Sequence, residues 1–223
     1  MQVAIFERLF AGRWIAGPEI SDAITVAKRF NRRGISAIFN YLGEDLKDKR
    51  AVDESVRVYS ELIRQAGEEG IKASISVKPT QLGASISYRT FMKNYNRIVQ
   101  LAKSNGVFVW FDMESYGMVD TVIRAYRADM KSRDTGICIQ AYLTRSYEDA
   151  LRLARQGAII RLVKGAYKEG PDVAYQSREA VTANYIRIME MLFKESRRFM
   201  IATHDLDIIG RAQKLNMKYK RNV

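Results

Sequence analysis

Short apolar runs alternate along the chain with segments in which apolar residues recur every three or four positions. Val107 to Phe111 is the plainest run: every residue in it is β-branched or aromatic, which is typical of a buried strand. Val52, Val56 and Tyr59 recur at helical spacing, and later segments repeat that pattern. The alternation predicts six strands, each followed by a helix. The predicted strands cover residues 35–41, 73–77, 107–111, 137–142, 158–164 and 199–203.

Regular alternation of helices with strands that are apolar on both faces indicates a parallel α/β sheet covered by helices. Two architectures fit this order, a doubly wound sheet and a TIM-type (β/α)8 barrel. No GxGxxG motif follows the first strand, which weakens the dinucleotide-binding form of the doubly wound sheet. Because the composition does not change along the chain, we predict one domain over residues 1–223, with a helical segment over about 1–20.

Three polar residues are predicted to cap helices at their N-termini. Ser21 precedes an apolar helical face, and Ser146 with Asp149 has the spacing of a capping box. Asp205 stands before the last apolar-periodic segment. These positions predict that the helices begin directly after strands or short loops.

The chain is basic, with 37 Lys and Arg against 25 Asp and Glu, a formal charge of +12. The positive residues are scattered, which favours solvated helix faces and leaves attraction to an anionic membrane or a phosphate-bearing cofactor open. One cysteine, Cys138, and one histidine, His204, exclude a disulfide framework and multi-cysteine or multi-histidine metal sites. No uncharged apolar stretch reaches the roughly 18 residues of a membrane span, so we expect a cytoplasmic protein.

Polar side chains stand at the ends of the predicted strands, where a barrel collects its chemistry. Five of the six strands end in this way, which predicts a shared pocket. These residues are Lys78, Asp112 with Glu114, Gln140, Arg161 with Lys164, and Thr203 with His204.

Arg161 is the most informative of these residues because it interrupts an apolar strand, and a guanidinium there needs an acceptor or anionic partner. One interpretation is a structural ion pair with Asp112 or Glu114. The other is a cation beside a group that becomes negative during a reaction. Gly165 follows closely and leaves room for a ligand near the backbone. Cys138 is predicted to be a core residue.

Seven consecutive residues, Arg161 to Tyr167 (RLVKGAY), resemble the signature of the FAD-dependent proline dehydrogenase family. Supporting segments occur in the family's order, and the resemblance covers nearly the whole chain. They are RWIAG at 13–17, LGE at 42–44, SVKPT at 76–80, DME at 112–114, IQAY at 139–142 and ATHD at 202–205.

The resemblance implies a distorted (β/α)8 barrel that binds FAD and oxidises L-proline to 1-pyrroline-5-carboxylate by hydride transfer. It implies that Arg161 stabilises the anionic reduced flavin, that Asp112 orients basic groups, and that a membrane quinone accepts the electrons at the inner face of the membrane. Lys78 and Tyr167 would bind the substrate. The residues implied to line the FAD are Met113, Gln140, Arg161, Lys164, Gly165, Ala166, Thr203 and His204.

The family barrel has eight strands, whereas six strand–helix units are predicted here. We therefore expect an incomplete barrel that lacks the family's paired arginines for the proline carboxylate. Arg197 and Arg198 do not replace them, because they precede the sixth strand and lie at the opposite end. Open edges favour self-association or a complementing chain, and they predict weak activity of the chain alone.

Other functions remain open on the residues alone. A Schiff-base lyase would use Lys164 or Lys78 at a strand end. An inactive barrel fragment would keep the fold and lose the chemistry. A nucleic-acid-binding module fits the charge, yet the sequence lacks interleaved basic and aromatic residues, so we expect no nucleic-acid partner.

Overall fold

The computed structural model describes residues 15–130, 133–221 and 223. Most of the predicted helical segment at 1–20, including Arg13 and Trp14, lies outside the described residues. The six strands are β1 (Ala37–Phe39), β2 (Ala73–Val77), β3 (Phe108–Phe111), β4 (Thr135–Gln140), β5 (Ile160–Val163) and β6 (Phe199–Ile201). The helices in the described residues are α1 (Ile20–Asn31), α2 (Lys49–Glu68), α3 (Tyr88–Ser104), α4 (Val119–Asp129), α5 (Ser146–Arg155), α6 (Arg178–Glu195) and α7 (Leu206–Tyr219).

The predicted alternation of strands and helices is confirmed, and the hydrogen-bonded order of the strands is β1-β2-β3-β4-β5-β6. The pairs β1–β2, β4–β5 and β5–β6 are parallel, with Phe39 opposite Ile75, Cys138 opposite Arg161, and Arg161 opposite Met200. This is the strand–helix order of a TIM-like barrel. The chain forms two compact units, one up to Val109 and one from Trp110 onward, and the boundary lies within β3.

The strand bounds differ from the sequence prediction in a systematic way. Only β2 matches completely, and β1, β3, β5 and β6 are shorter than predicted because residues next to them lie outside the regular ladder. β4 begins two residues early, at Thr135, whose hydroxyl donates to Asp129 Oδ2 at 3.0 Å. The strand thus begins with a polar and a small residue, Thr135 and Gly136, so the apolar pattern did not predict its start.

In the first unit, α2 and α3 bury the apolar faces that the spacing predicted, including Val56 and Phe91. A buried polar group lies beside them. The Tyr59 hydroxyl is 2.8 Å from the Ser76 carbonyl oxygen and 2.8 Å from Gln81 Oε1. Gln81 Nε2 donates to the Tyr41 carbonyl at 2.6 Å. This network fixes the end of β2 and the loop after β1.

In the second unit, every residue of β4 is buried, as expected for a strand with both faces covered. Tyrosine hydroxyls tie helices to strands: Tyr126 accepts from the Ile159 amide at 2.9 Å, and Tyr185 donates to the Leu162 carbonyl at 3.1 Å. β6 is only half-buried along its length, and in the first unit Ile38 of β1 is 41% exposed. The first and last strands thus have less cover than β4.

Two of the three predicted helix caps are wrong. Helix α1 begins after Glu19 instead of Ser21, and the Glu19 amide donates to Asp22 at 3.1 Å. Ser146 is already within α5, and its hydroxyl donates to the Gln140 carbonyl. Asp149 is the partner of Arg145 and Arg152 instead of a capping residue.

The cap at Asp205 is confirmed, since its side chain accepts from the amides of Asp207 and Ile208. Within the described part of the chain, none of the helices has the length and apolar character needed to cross a bilayer.

Candidate functional site

A pair of opposite charges lies inside the second unit, with Asp112 directly after β3 and Arg161 within β5. Arg161 Nη2 donates to Asp112 Oδ1 at 2.6 Å, and the two side chains are 11% and 15% exposed. The predicted ion pair between these residues is therefore present. A guanidinium held in this way in a poorly hydrated place keeps its charge and its direction, which are the properties that electrostatic stabilisation requires.

Cys138 and Trp110 also contact this guanidinium. Arg161 Nε donates to Cys138 Sγ at 3.0 Å, and the thiol donates to Asp112 Oδ1 at 3.3 Å. The guanidinium carbon lies 5.1 Å from the centroid of the Trp110 ring, a distance typical of a cation–π contact. Cys138 faces Arg161 because the two residues are partners in the β4–β5 register.

Gly136 makes room for the Trp110 ring. A Cβ at this position would approach Cζ3 of Trp110 to 2.5 Å and the Ile159 carbonyl oxygen to 3.1 Å. Gly136 and Cys138 lie on the same face of β4, because they are two residues apart and side chains alternate between the faces of a strand. A small residue and a thiol on one face therefore let the ring and the guanidinium lie side by side.

Gln140 lies at the end of β4 and is 3% exposed. Its side-chain amide nitrogen donates to the Met113 carbonyl at 3.0 Å, so Met113 and Gln140 are adjacent. Both residues were predicted to line the FAD. Gln140 Oε1 is buried and has no hydrogen-bond partner among the described residues. A buried acceptor without a donor is costly, so this atom is suited to a ligand N–H or O–H.

The segment after β5 contacts the segment after β6. Lys164 Nζ donates to Asp205 Oδ2 at 2.8 Å, and the Asp205 amide donates to the Thr203 hydroxyl at 3.1 Å. His204 lies between these residues and is exposed. Because Lys164 Nζ donates to a carboxylate, the structure provides no support for this nitrogen as a Schiff-base nucleophile.

The hydrogen bond from Lys164 lowers the pKa of Asp205 below its ordinary value of 3.8. A lowered carboxyl pKa adds stability above about pH 4 that is lost as the pH falls through the folded-state pKa. Lys164→Gln is expected to raise the Asp205 midpoint in a carbon-detected NMR titration. Lys168→Gln, at an exposed position of the same segment, is the matched control and should leave it unchanged. Equal midpoints in both variants would contradict the pairing.

Gly165, in the RLVKGAY segment, packs closely against the ring of Tyr142, and we call these two residues the wall of the candidate site. Gly165 has a φ of +102°, and a Cβ there would approach Cδ1 of Tyr142 to 2.2 Å. Burial, followed by the charges of Glu169 and Tyr167, raises the pKa of Tyr142 to about 12, so its hydroxyl keeps its proton. That hydroxyl is buried, and no described residue hydrogen-bonds to it. Ala166 is exposed next to this wall.

Tyr142→Phe is expected to leave the ligand-free protein as stable as wild type or about 1 kcal/mol more stable, because an unsatisfied buried hydroxyl is removed. Urea unfolding measures this free energy. Ser55→Ala is the matched control, since Ser55 Oγ in α2 is also buried without a partner in the described part of the chain. Only Tyr142→Phe should weaken ligand binding in the second unit. A clear loss of stability in Tyr142→Phe would show that its hydroxyl has a partner.

Lys78 belongs to the first unit, where it follows β2 and precedes Pro79. Its Nζ lies 3.2 Å from Glu44 Oε2, and its side chain is 20% exposed. The segments LGE and SVKPT, which are distant in sequence, therefore meet at this ion pair. Lys78 is held by a carboxylate on the adjacent loop, at the end of its strand as predicted.

Within the second unit, the structure brings the predicted residues together in groups. Asp112 contacts Arg161, Met113 contacts Gln140, and Lys164 reaches the segment that follows Thr203. Tyr167 is half-buried two residues beyond Gly165. Sequence reasoning missed the contacts of Cys138, Trp110 and Tyr142 with this site. Cys138 and Trp110 stand in apolar strands and were therefore interpreted as core residues. Tyr142 lies in the segment IQAY, which was a signal for its place near the site.

Residues 23–222 match the family model described as Proline dehydrogenase. Proline dehydrogenase 1 of Bacillus subtilis (strain 168) is 31% identical over 209 residues, an alignment that covers 93% of this chain and 69% of that protein. Proline dehydrogenase of Deinococcus radiodurans is 32% identical over 205 residues, which cover 89% of this chain and 66% of that protein.

The fold is similar to that of proline utilization A (PutA) from Bdellovibrio bacteriovorus inactivated by N-propargylglycine. The TM-score is 0.85 at 21% identity, over 98% of this chain and 28% of that chain. PutA from Bradyrhizobium japonicum, as the mutant D778Y, gives a TM-score of 0.70 at 18% identity, over 82% of this chain and 22% of that chain. The chain thus spans about a quarter of these longer proteins, and the likeness to them concerns the fold.

Proposed function

Because this chain belongs to the proline dehydrogenase family, we propose that it oxidises L-proline to 1-pyrroline-5-carboxylate with FAD as its cofactor. The observation that carries the proposal is the guanidinium of Arg161, which is only 11% exposed and is held within β5 by Asp112 and Cys138. It lies within the segment RLVKGAY, and the match to the family model spans residues 23–222.

Features of the second unit fit a flavin. Gln140 Oε1 and the Tyr142 hydroxyl are buried polar atoms without partners among the described residues, and a flavin ring carries both N–H and carbonyl groups. Arg161 supplies a fixed positive charge, which suits a ring that gains electrons. We propose that the residues expected from the sequence hold the FAD. They are Met113, Gln140, Arg161, Lys164, Gly165, Ala166, Thr203 and His204.

When bound, FAD would supply the acceptor for a hydride from the ring CH2 group next to the amine nitrogen of proline, and that nitrogen would release a proton to solvent as the C=N bond forms. Arg161 keeps a positive charge beside the place where negative charge accumulates. Asp112 and Cys138 hold its direction, so that no reorganisation is needed during the reaction. The low exposure of this group limits water, which strengthens the electrostatic interaction.

We propose that Lys78 and Tyr167 contribute to substrate binding, Lys78 through attraction to the proline carboxylate. Glu44 keeps Lys78 directed in the absence of substrate. Lys78→Met is expected to raise the KM for L-proline while the spectrum of bound flavin stays the same. That separation identifies a substrate contact instead of a cofactor contact.

We propose that a quinone accepts the electrons and that the protein attaches peripherally to an anionic membrane surface. The support is the charge of +12, which attracts such a surface. Co-sedimentation with phosphatidylglycerol vesicles, and reduction of a water-soluble quinone in the presence of L-proline, test these two statements separately.

The decisive experiment is the absorption spectrum of the purified protein, with and without added FAD. Bound flavin should show its two visible bands, and anaerobic L-proline should bleach the longer-wavelength band, whereas D-proline should not. If the protein binds no FAD, or if it binds FAD that L-proline leaves oxidised, the proposal is wrong.

A further inference from the structure

Cys138 occupies a position in the site that the family resemblance does not assign. Its thiol closes a ring of three hydrogen bonds with Arg161 and Asp112. Arg161 Nε donates to Sγ at 3.0 Å, the thiol donates to Asp112 Oδ1 at 3.3 Å, and Arg161 Nη2 donates to the same oxygen at 2.6 Å. Cys138 is 2% exposed, and the side chains of Arg161 and Asp112 are 11% and 15% exposed, so the thiol is the most buried member of the ring.

The backbone explains why the side chain at position 138 reaches the guanidinium. Cys138 and Arg161 are directly opposed in the parallel register of β4 and β5, so their side chains leave the same face of the sheet. Asp112 is two residues beyond Trp110, and both side chains contact Arg161. The guanidinium therefore contacts a ring face, a carboxylate and a thiol.

A thiol is suited to this place because it both accepts from a cation and donates to an anion. Burial, followed by the charge of Asp112, raises the pKa of Cys138, so the thiol keeps its proton. A thiolate would add a second negative charge beside Arg161 and offset its positive potential. A side chain without a polar atom would leave Nε of Arg161 buried without this acceptor.

We propose that Cys138 is a positioning residue that fixes the orientation of the Arg161 guanidinium toward the bound cofactor. The inference rests on the proposed flavin function, although the hydrogen bond itself is testable without FAD. With Cys138 in place, the guanidinium is held at Nε and at Nη2, and rotation about its terminal bonds is blocked. Without it, Asp112 and the face of Trp110 hold the group at fewer points.

The test compares three variants on β4. Cys138→Val removes the polar atom at similar volume, and Cys138→Ser keeps a donor and an acceptor. Ile139→Val is the matched control, because Ile139 is equally buried on the same strand and alternates to the other face. The measurements are the dissociation constant for FAD, the flavin reduction potential, and hydrogen exchange of the Arg161 Nε–H by nitrogen-15 NMR in the flavin-free protein.

In wild type, the Arg161 Nε–H should exchange slowly, with its resonance assigned by its absence in Arg161→Lys. Cys138→Val should speed this exchange at least tenfold, weaken FAD binding by about tenfold, and lower the flavin potential. Cys138→Ser should retain most of the protection, and Ile139→Val should match wild type. This pattern supports a positioning role because loss of packing alone would affect Cys138→Val and Ile139→Val alike.

Two results would overturn the inference. One is that the Arg161 Nε–H of the wild-type protein exchanges as fast as the Nε–H groups of exposed arginines. This measurement does not depend on whether any variant folds. The other is protection in Cys138→Val equal to that in Ile139→Val. Because exchange is measured without flavin, these outcomes are distinct from failure of the proposed function, which is a protein that binds no FAD or ignores L-proline.

Discussion

Arg161→Met is expected to lower the rate of flavin reduction by L-proline by about a hundredfold, the usual loss when one preorganised charge or donor is removed. The flavin reduction potential should fall as well, because the variant lacks the positive charge that we propose lies beside the ring. The same change leaves Asp112 poorly hydrated without its Nη2 partner. Breaking such a pair costs about 3 kcal/mol of stability, so urea unfolding should shift to lower concentration.

The loss of function and the loss of stability can be separated with a second substitution. Arg161→Met combined with Asp112→Asn removes the carboxylate charge that has lost its Arg161 partner, and it should recover most of the stability without recovering proline oxidation. Arg161→Lys keeps a charge but cannot donate to Cys138 and Asp112 in the geometry of a guanidinium, so it should recover part of the potential. If the double variant recovers activity together with stability, Arg161 is only a structural partner of Asp112.

The order of elements and the chemistry at the strand ends could be predicted from the sequence because both depend on local patterns. The run Val107 to Phe111 predicts a buried strand, and an arginine inside an apolar strand predicts an anionic or acceptor partner. The structure confirms both, with β3 at Phe108–Phe111 and Arg161 paired with Asp112. Asp205 as a helix cap was equally predictable, because capping needs only the residues next to it.

The contacts that could not be predicted depend on register between distant strands. Cys138 meets Arg161 only because these residues are directly opposed in β4 and β5, and a shift of one residue would place them on different faces. The cap predicted at Ser146 is wrong for a related reason. Its hydroxyl donates to the Gln140 carbonyl, and that contact depends on how the turn between β4 and α5 closes.

Gly165→Ala is expected to cost about 3 kcal/mol of stability, from two separate causes. The φ of +102° is strained for any residue with a side chain, at about 1–3 kcal/mol. In addition, the new Cβ would approach the Tyr142 ring to 2.2 Å, and crowding of this kind costs about 1–3 kcal/mol. Urea unfolding measures the total. FAD affinity should fall too, because Tyr142 and the RLVKGAY segment line the proposed FAD site.

Gly157→Ala is the matched control for the backbone strain. Gly157 has a φ of +86°, yet a Cβ at this position would have no described atom within 4 Å, so this variant carries the strain without the crowding. The excess cost of Gly165→Ala over Gly157→Ala therefore measures the contact with Tyr142. Tyr142→Ala combined with Gly165→Ala should remove that excess through a coupling between the two sites. If the two glycine variants lose the same free energy of unfolding and show no coupling to Tyr142, the Tyr142 ring moves aside without cost and does not hold the segment in place.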